Sequence, residues 1–362
     1  MMKQWIIVGL AIMLGACSEE PGKAQEPVDK SAGVEKKAVA DTVAVTDANY
    51  STAMSDLAMQ KEFAQGASNT QWHHHRTIME LDKQPAPMMN RDTLYSFSIL
   101  DGGGDVAITL PETDGRYQSL HVWNHDHVTY KTFYGPGRYV IPADKTSDFF
   151  VANVRTQVDA SSPGDVKKVN GYQDQLKIEF LNGYEPKPFK VTNWNMDDFN
   201  KVHAKYVAIA GKEGVMGTMG TLEHPVSQED RNRGISIATG LLPDKEAVYL
   251  TASYQAGQGK TLKATYPVPG MADPDLGFYS ITIYGDDQYL HTDKGSTISN
   301  KEITLNEDGK SFDLYYVPES EYGSHDNELI VPTETFWINF RVYLPAESVI
   351  SGEYTLPEPT QP

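Results

Sequence analysis

The sequence predicts an α+β fold that is mostly β, with two antiparallel β-sandwich or jelly-roll-like units and helices at the N-terminus and between the units. Three observations carry this prediction. Short runs rich in β-branched and aromatic residues, broken by turn sequences, fill 88–181 and again 236–362. Apolar residues at helical spacing cover 46–82 and 195–232. The 362 residues are enough for two domains.

The first 17 residues are predicted to be a lipoprotein signal peptide. Lys3 precedes a short apolar run, which is too short to span a membrane as a mature helix. The run ends in LGAC, which resembles the bacterial lipobox, whose cysteine receives acyl chains such as palmitate and becomes the mature N-terminus. Cys17 is the only cysteine, which excludes a disulfide framework. Because Ser18 does not resemble an inner-membrane retention signal, we expect an outer-membrane lipoprotein.

Residues 18–45 are predicted to be a disordered tether. The segment lacks aromatic residues and is rich in Glu, Lys, Pro and Ala, so it cannot bury enough surface to offset its ordering entropy. The formal net charge of −18 predicts an acidic surface, which repels phosphate backbones and argues against nucleic-acid binding. We therefore expect a periplasmic or surface-exposed body, held to the membrane by the lipid on Cys17.

The body divides into three predicted parts. Residues 46–194 form an N-terminal helical segment and the first β domain, 195–235 a helical connector, and 236–362 the second β domain. Asn195 or Asp197 is a candidate N-cap for a connector helix. In the first β domain, residues 117–130 are predicted to be one strand, and the Gly-Pro-Gly at 135–137 a hairpin turn.

The segment HVWNHDH, residues 121–127, is the densest cluster of chemically active side chains. On a single strand alternate side chains share a face, so the segment would present the following residues together: His121, Trp123, His125 and His127. The pair His125 and His127 has the spacing of a zinc or iron site, with a third ligand from Asp92 or from 73–75. The alternatives are acid–base catalysis by His127 and a polar strand that binds nothing.

The three histidines at 73–75 lie in a region of helical spacing. On a helix three consecutive residues spread over about 200°, so they cannot all bind one ion. We expect this segment to be exposed.

The segment NRDTLYS places two opposite charges at the start of a strand. Arg91 and Asp92 are adjacent and should face opposite sides. A buried charge needs a partner, and Arg155 is a candidate for Asp92. The alternative is a site that binds an anion or carboxylate, built from Arg91 or Arg155 with Tyr95 beside it. The neighbouring candidates for binding are His127, Trp123 and Asn124.

Two blocks, NRDTLY at 90–95 and GFYSI at 277–281, resemble a bacterial family of paired domains of unknown function, DUF1254 at the N-terminus and DUF1214 at the C-terminus. The resemblance implies an exported or envelope-associated protein and names no reaction. Asn124, Asp126 and His127 match the family's usual residues, whereas His121 and His125 stand where Gln and Glu are frequent. Residues 240–242, Gly-Leu-Leu, stand where members often carry Gly-Trp-Gly.

Two functions follow from these observations. The first is an envelope lipoprotein that binds a small molecule or glycan in a cleft of the first β domain. The second is a periplasm-facing hydrolase or lyase that uses His127 with Asp92 or Asp126, assisted by Arg91 and by a divalent zinc or iron ion. A G-x-S-x-G nucleophile elbow is missing, because the closest segment, 234–238, lacks the final glycine.

Overall fold

A computed structural model of the protein describes residues 42–362 and confirms a mostly β architecture with antiparallel sheets. The predicted signal peptide, Cys17 and residues 18–41 of the predicted tether lie outside the described residues. Val43 forms a bridge with Trp194, and Val45 is buried in a hydrophobic cluster. The folded body therefore already includes the last residues of the predicted tether. No helix within 42–362 has the length and apolar character to cross a membrane.

The described chain contains five α-helices and fifteen β-strands. The helices are α1 (Tyr50–Ala64), α2 (Pro163–Gln173), α3 (Met196–Glu213), α4 (Gln228–Ile235) and α5 (Glu347–Ile350). The strands of the first half are β1 (His73–His74), β2 (Thr93–Asp101), β3 (Val106–Leu110), β4 (Gln118–Asn124), β5 (Thr129–Tyr134), β6 (Gly137–Ile141), β7 (Phe149–Gln157) and β8 (Lys177–Phe180). Those of the second half are β9 (Ala247–Gln255), β10 (Leu262–Pro267), β11 (Phe278–Tyr284), β12 (Thr297–Ser299), β13 (Ser311–Val317), β14 (Glu328–Ile330) and β15 (Thr335–Tyr343).

The first β unit is a sandwich of two antiparallel sheets. The larger sheet has the order β1-β2-β7-β4-β5, and the smaller has the order β6-β3-β8. Leu120, Val154 and Ile108 belong to the apolar core between them. The predicted hairpin at Gly135–Gly137 is wrong, because β5 and β6 belong to different sheets. The segment instead crosses from one sheet to the other, and the Tyr139 hydroxyl donates to the Tyr134 carbonyl at 2.6 Å.

The second β unit repeats the two-sheet plan. Its sheets have the orders β12-β11-β15-β9 and β10-β13-β14, with Ile281, Phe340 and Leu314 in the core between them. One pair departs from the predicted antiparallel arrangement, since β13 and β14 are parallel. Not all of the strand-like runs in 236–362 form strands, because the segments 288–292 and 302–306 are irregular.

Helices α1, α3 and α4 form a separate apolar cluster beside the first sandwich. Phe199 and Tyr206 of α3 pack on Tyr50 of α1. The predicted N-cap is confirmed at Asn195, whose side chain accepts hydrogen bonds from two backbone N–H groups of the first turn. A helix was missed at SSPGD, where Ser162 is the N-cap and Pro163 starts α2.

The two β units contact each other through aromatic side chains. Tyr117 of the first unit lies 5.1 Å from Phe278 and 5.2 Å from Tyr343, measured between ring centroids. All three residues are buried. This contact brings the start of β11 and the end of β15 against the first β unit, next to the candidate site.

Candidate functional site

The histidine-rich segment is a strand followed by a tight turn. β4 ends at Asn124, and β5 begins at Thr129. Between them the Asn124 carbonyl accepts the His127 N–H at 2.9 Å, while the Asn124 side chain accepts the Val128 N–H at 2.9 Å. The predicted single strand over 117–130 is therefore wrong, and strand alternation holds only for His121 and Trp123. An asparagine side chain that accepts nearby N–H groups stabilises a turn, and this accounts for Asn124.

His127 is buried and faces residues 236–246, which link α4 to β9; from here on, the connector includes this segment. It has a positive φ of 60°, and its Nε2 accepts the backbone N–H of Gly240 at 2.7 Å. Its ring lies 4.6 Å from that of Trp123. Burial lowers the pKa of His127 to about 3, so the imidazole is neutral at physiological pH.

His125 and Asp126 point away from His127 and bind α1. His125 Nε2 lies 3.1 Å from the Asp56 carboxylate, and Thr52 donates to Asp126 at 2.6 Å. The structure thus does not bring His125 and His127 to one ion. In the described chain, the one group of three potential metal ligands is elsewhere, at Glu62, His73 and His75.

Arg91 and Asp92 both contact the second β unit. The Asp92 carboxylate accepts hydrogen bonds from Ser280 at 2.5 Å and Thr297 at 3.2 Å, and Arg341 lies 3.9 Å away. Arg91 pairs with Asp293 at 2.9 Å. The predicted pair between Asp92 and Arg155 is therefore wrong. Asp92 and Arg91 join the two β units, and neither hydrogen-bonds to His127.

The larger sheet of the first unit has one apolar face and one unusually polar face. The apolar face forms the sandwich core, as Leu120 and Val154 show. On the opposite face, strand pairing places side chains in two neighbouring rows. One row is Tyr95, Arg155, Ser119 and Tyr134; the next is Phe97, Asn153, His121 and Thr132. Predicted residues from three strands therefore meet on one buried surface, which we call the polar face.

Arg155 is the central charge of the polar face. Its guanidinium lies 5.3 Å from the centroid of the Tyr95 ring, and its Nη2 donates to the Gly240 carbonyl at 2.6 Å. Because the Gly240 N–H bonds to His127, one residue of the connector joins Arg155 to His127. The predicted grouping of Arg155, Tyr95 and His127 is thus present, with Trp123 adjacent.

Arg155 differs from the other buried arginines in its partners. Arg91, Arg116 and Arg341 each have a carboxylate within 4 Å. Arg155 is only 5% exposed. Among residues 42–362 it forms no ion pair, and its Nη1 atom makes no hydrogen bond with any of them. A buried guanidinium without a counterion is costly.

Other polar atoms of the same face are also buried without a hydrogen-bond partner in the described chain. They include Trp123 Nε1, His121 Nδ1, both side-chain polar atoms of Asn153 and Thr132 Oγ1. Native proteins leave few buried polar groups unpaired. Their concentration around Arg155 distinguishes this face from an ordinary structural interface.

The tyrosines around Arg155 do not neutralise its charge. Burial raises the pKa of Tyr249 to about 12, and it also raises the pKa values of Tyr117 and Tyr343. These phenols are therefore protonated at neutral pH. They offer hydroxyl groups and ring edges but no negative charge.

Part of the chain matches a known family, and most of it is similar in fold to two solved structures. Residues 246–347 match a family described as "Protein of unknown function (DUF1214)". The crystal structure of the VPA0106 protein from Vibrio parahaemolyticus is similar, with 19% sequence identity and a TM-score of 0.62, over 87% of this chain and 98% of that chain. That of an uncharacterized protein from Burkholderia cenocepacia is similar over 86% and 87%, with 15% identity and a TM-score of 0.50. The chain matches no curated protein. At these identities the likeness shows a shared fold and no activity.

Several residues of the site were missed in the sequence. Three of them lie outside the first β unit: Gly240 in the connector, and Tyr249 and Tyr343 in the second β unit. Asn153 lies in a predicted strand, but the sequence did not indicate which face of the sheet its side chain occupies. Gly240 had one signal: it opens the Gly-Leu-Leu that departs from the resembled family's Gly-Trp-Gly. Its positive φ of 73° explains the glycine.

Proposed function

We propose that the protein is a cell-envelope lipoprotein, anchored by lipid on Cys17, whose body binds a small carboxylate-bearing molecule at Arg155. The main support for ligand binding is the buried guanidinium of Arg155, which has no carboxylate partner within residues 42–362. The anchoring half is supported by the lipobox-like LGAC at 14–17.

A carboxylate fits the chemistry of the polar face. A guanidinium binds carboxylates through two parallel N–H donors, and Nη1 of Arg155 has no other bond in the described chain. Trp123 Nε1 is a second donor nearby. A Cβ built on Gly240 would lie 3.7 Å from Arg155 Nη2 and 3.8 Å from Trp123 Nε1, with nothing closer. The glycine therefore leaves room for about one carbon atom in contact with both donors.

Binding is better supported than catalysis. His127 is neutral because of its lowered pKa and is held by Gly240. The Asp92 carboxylate is already bonded to Ser280 and Thr297. An acid–base pair must reach the same proton, and these two side chains are engaged with different elements. The ligand must be small, since Arg155 is almost fully enclosed.

The binding test compares matched acidic and neutral probes on the full chain. We expect succinate and glucuronate to raise the melting temperature by several degrees at saturating concentration, because a ligand at about 100 Kd adds roughly 2.7 kcal/mol. Glucose, the neutral counterpart of glucuronate, should not. Arg155→Met should abolish the response, whereas Arg138→Met, which removes an exposed arginine paired with Glu179, should keep it. A response to glucose as large as that to glucuronate would contradict a carboxylate site.

The anchoring test follows the lipid. The wild-type chain should incorporate labelled palmitate and partition into detergent, and Cys17→Ala should do neither. Ser18→Ala is the control, because it leaves the cysteine in place. Labelling that persists in Cys17→Ala would contradict the proposed anchor.

A further inference from the structure

The triple-histidine segment is an extended edge of the five-stranded sheet, not a helix. His73 pairs with Phe97 and His74 with Ser96, and the His75 N–H continues the ladder to the Tyr95 carbonyl at 2.8 Å. Side chains alternate along a strand. His73 and His75 therefore share a side, with ring centroids 4.7 Å apart.

His74 points to the other side of the strand. Its Nδ1 lies 2.7 Å from the Ser96 hydroxyl. Burial, followed by the charge of Arg76, lowers the pKa of His74 to about 4. The segment thus divides into two histidines that face the end of α1 and one that does not.

Glu62, in the last turn of α1, completes a group of three ligand atoms. Its Oε2 lies 2.6 Å from His73 Nδ1 and 3.6 Å from His75 Nε2. The three ligand atoms all lie within 4.8 Å of one another. This spacing suits one ion, because zinc binds nitrogen and carboxylate oxygen at about 2.0–2.2 Å.

The ligand atoms of the group differ in their hydrogen bonding. Glu62 Oε2 and His73 Nδ1 are hydrogen-bonded to each other at 2.6 Å. His75 Nε2 is a buried atom with no hydrogen-bond partner in the described chain. Imidazole nitrogen is a common ligand of zinc.

The surroundings hold the group in place. The Gln173 side chain donates to the His75 carbonyl at 3.2 Å. The His75 ring makes edge contacts with Phe97 at 5.5 Å and Tyr95 at 6.4 Å between centroids. Glu62 is 12% exposed at its side chain, and His75 is 37% exposed. The group is thus fixed by the sheet and open to solvent on one side.

We propose that Glu62, His73 and His75 bind a divalent transition-metal ion, with zinc as the probe. Two imidazoles and one carboxylate form a ligand set used for zinc and for non-haem iron, and they leave coordination positions open. The metal site and the carboxylate site share no ligand residue, although they are close. Tyr95 contacts His75, and the Arg155 guanidinium lies over the ring of the same tyrosine.

The competing interpretation is a simple hydrogen bond between Glu62 and His73. That arrangement accounts for the 2.6 Å distance without any ion. It does not require His75, which makes no bond shorter than 3.6 Å to Glu62. His75 is therefore the residue that distinguishes the two interpretations.

The test titrates Zn²⁺ into the full chain, purified and treated with a chelator, by calorimetry at pH 7.5. We expect the wild type to bind one equivalent of Zn²⁺ tightly and His75→Ala to bind it at least 100-fold more weakly. Loss of a residue that only supports a ligand lowers metal affinity by about 10–100-fold. His74→Ala is the matched control, since the neighbouring histidine faces away, and it should bind like the wild type. Arg155→Met should also retain the zinc equivalent, which separates this site from the carboxylate site.

Two further measurements keep the test decisive. Cobalt absorption in the visible range should report nitrogen and oxygen ligands in the wild type and disappear in His75→Ala. Circular dichroism should show that both histidine variants are folded; if His75→Ala is not, Glu62→Gln replaces it. Equal zinc affinity in His75→Ala and the wild type, or equal loss in His74→Ala, would overturn the proposal, as would a wild type without a tight equivalent.

Discussion

His127 and Gly240, 113 residues apart in the sequence, are joined by a hydrogen bond of 2.7 Å from the Gly240 N–H to His127 Nε2. The bond requires an unprotonated Nε2, and burial lowers the pKa of His127 to about 3. The contact therefore couples the protonation of one histidine to the position of the connector.

The first prediction concerns the pH dependence of stability. The unfolded chain protonates His127 near its ordinary pKa of 6.5, whereas the folded chain does so only near 3. The stability contributed by the neutral histidine is complete above pH 6.5 and is lost as the pH falls toward 3, by at most about 1.4 kcal/mol per unit. His127→Asn, which tolerates the positive φ, should show a flatter decline in urea unfolding between pH 6.5 and 4. Parallel curves for the two proteins would disprove the assignment.

The second prediction concerns the connector glycine. Gly240 has a positive φ of 73°, but an added Cβ meets nothing closer than 3.7 Å. Gly240→Ala should therefore lower the free energy of unfolding by roughly 1–2 kcal/mol through backbone strain alone. Gly240→Asn should cost less, because asparagine adopts this conformation more readily. Urea unfolding of both variants checks the order; a much larger loss in Gly240→Ala would indicate a steric clash.

The third prediction concerns the contact between the β units. Arg341 is 2% exposed and lies 3.9 Å from Asp92, which is 4% exposed. Removal of one member of a buried pair leaves the other charge uncompensated, so Arg341→Met should cost about 3–5 kcal/mol. Exposed Arg138 provides the same substitution as a control, with an expected change within about 0.5 kcal/mol. Similar values for the two variants would show that Asp92 and Arg341 do not stabilise the fold as a pair.

The fourth prediction contrasts two buried arginines. Arg155→Met loses one hydrogen bond to Gly240 but also removes a charge without a counterion in the described chain. These effects oppose each other, and the ligand-free protein should change in stability by no more than about 1–2 kcal/mol. The measurement is urea unfolding without added carboxylate. A loss as large as that expected for Arg341→Met would mean that Arg155 already has a compensating partner.

Much of the fold could be predicted from the sequence because its signals are local. Alternating β-branched and aromatic residues predicted β2, β3, β7 and β11, and Asn195 marked the start of α3. The errors were also local in origin. The pattern over 117–130 continued without a break, since the turn at 124–128 is made by polar residues that strands also tolerate.

The candidate site could be predicted only in part. The grouping of Arg155, Tyr95 and His127 was expected as one alternative, but the partner of Asp92 was predicted wrongly. Ser280 and Arg341 reach Asp92 from more than 180 residues away, and no spacing rule connects such positions. The division of 73–75 into two histidines that face α1 and one that does not likewise depended on β1 being a strand.

Local sequence patterns were enough to predict the β-rich class and the two β-rich regions, because residue preferences and hydrophobic periods act over short stretches. Which of the polar residues meet depends on the packing of the sheets and helices. In the folded protein Arg155 has no carboxylate partner within the described chain. Gly240 hydrogen-bonds to His127, and Glu62 lies beside His73 and His75. The physical reason is that burial and pairing of charges depend on contacts between distant segments, which form only when the sheets and helices pack.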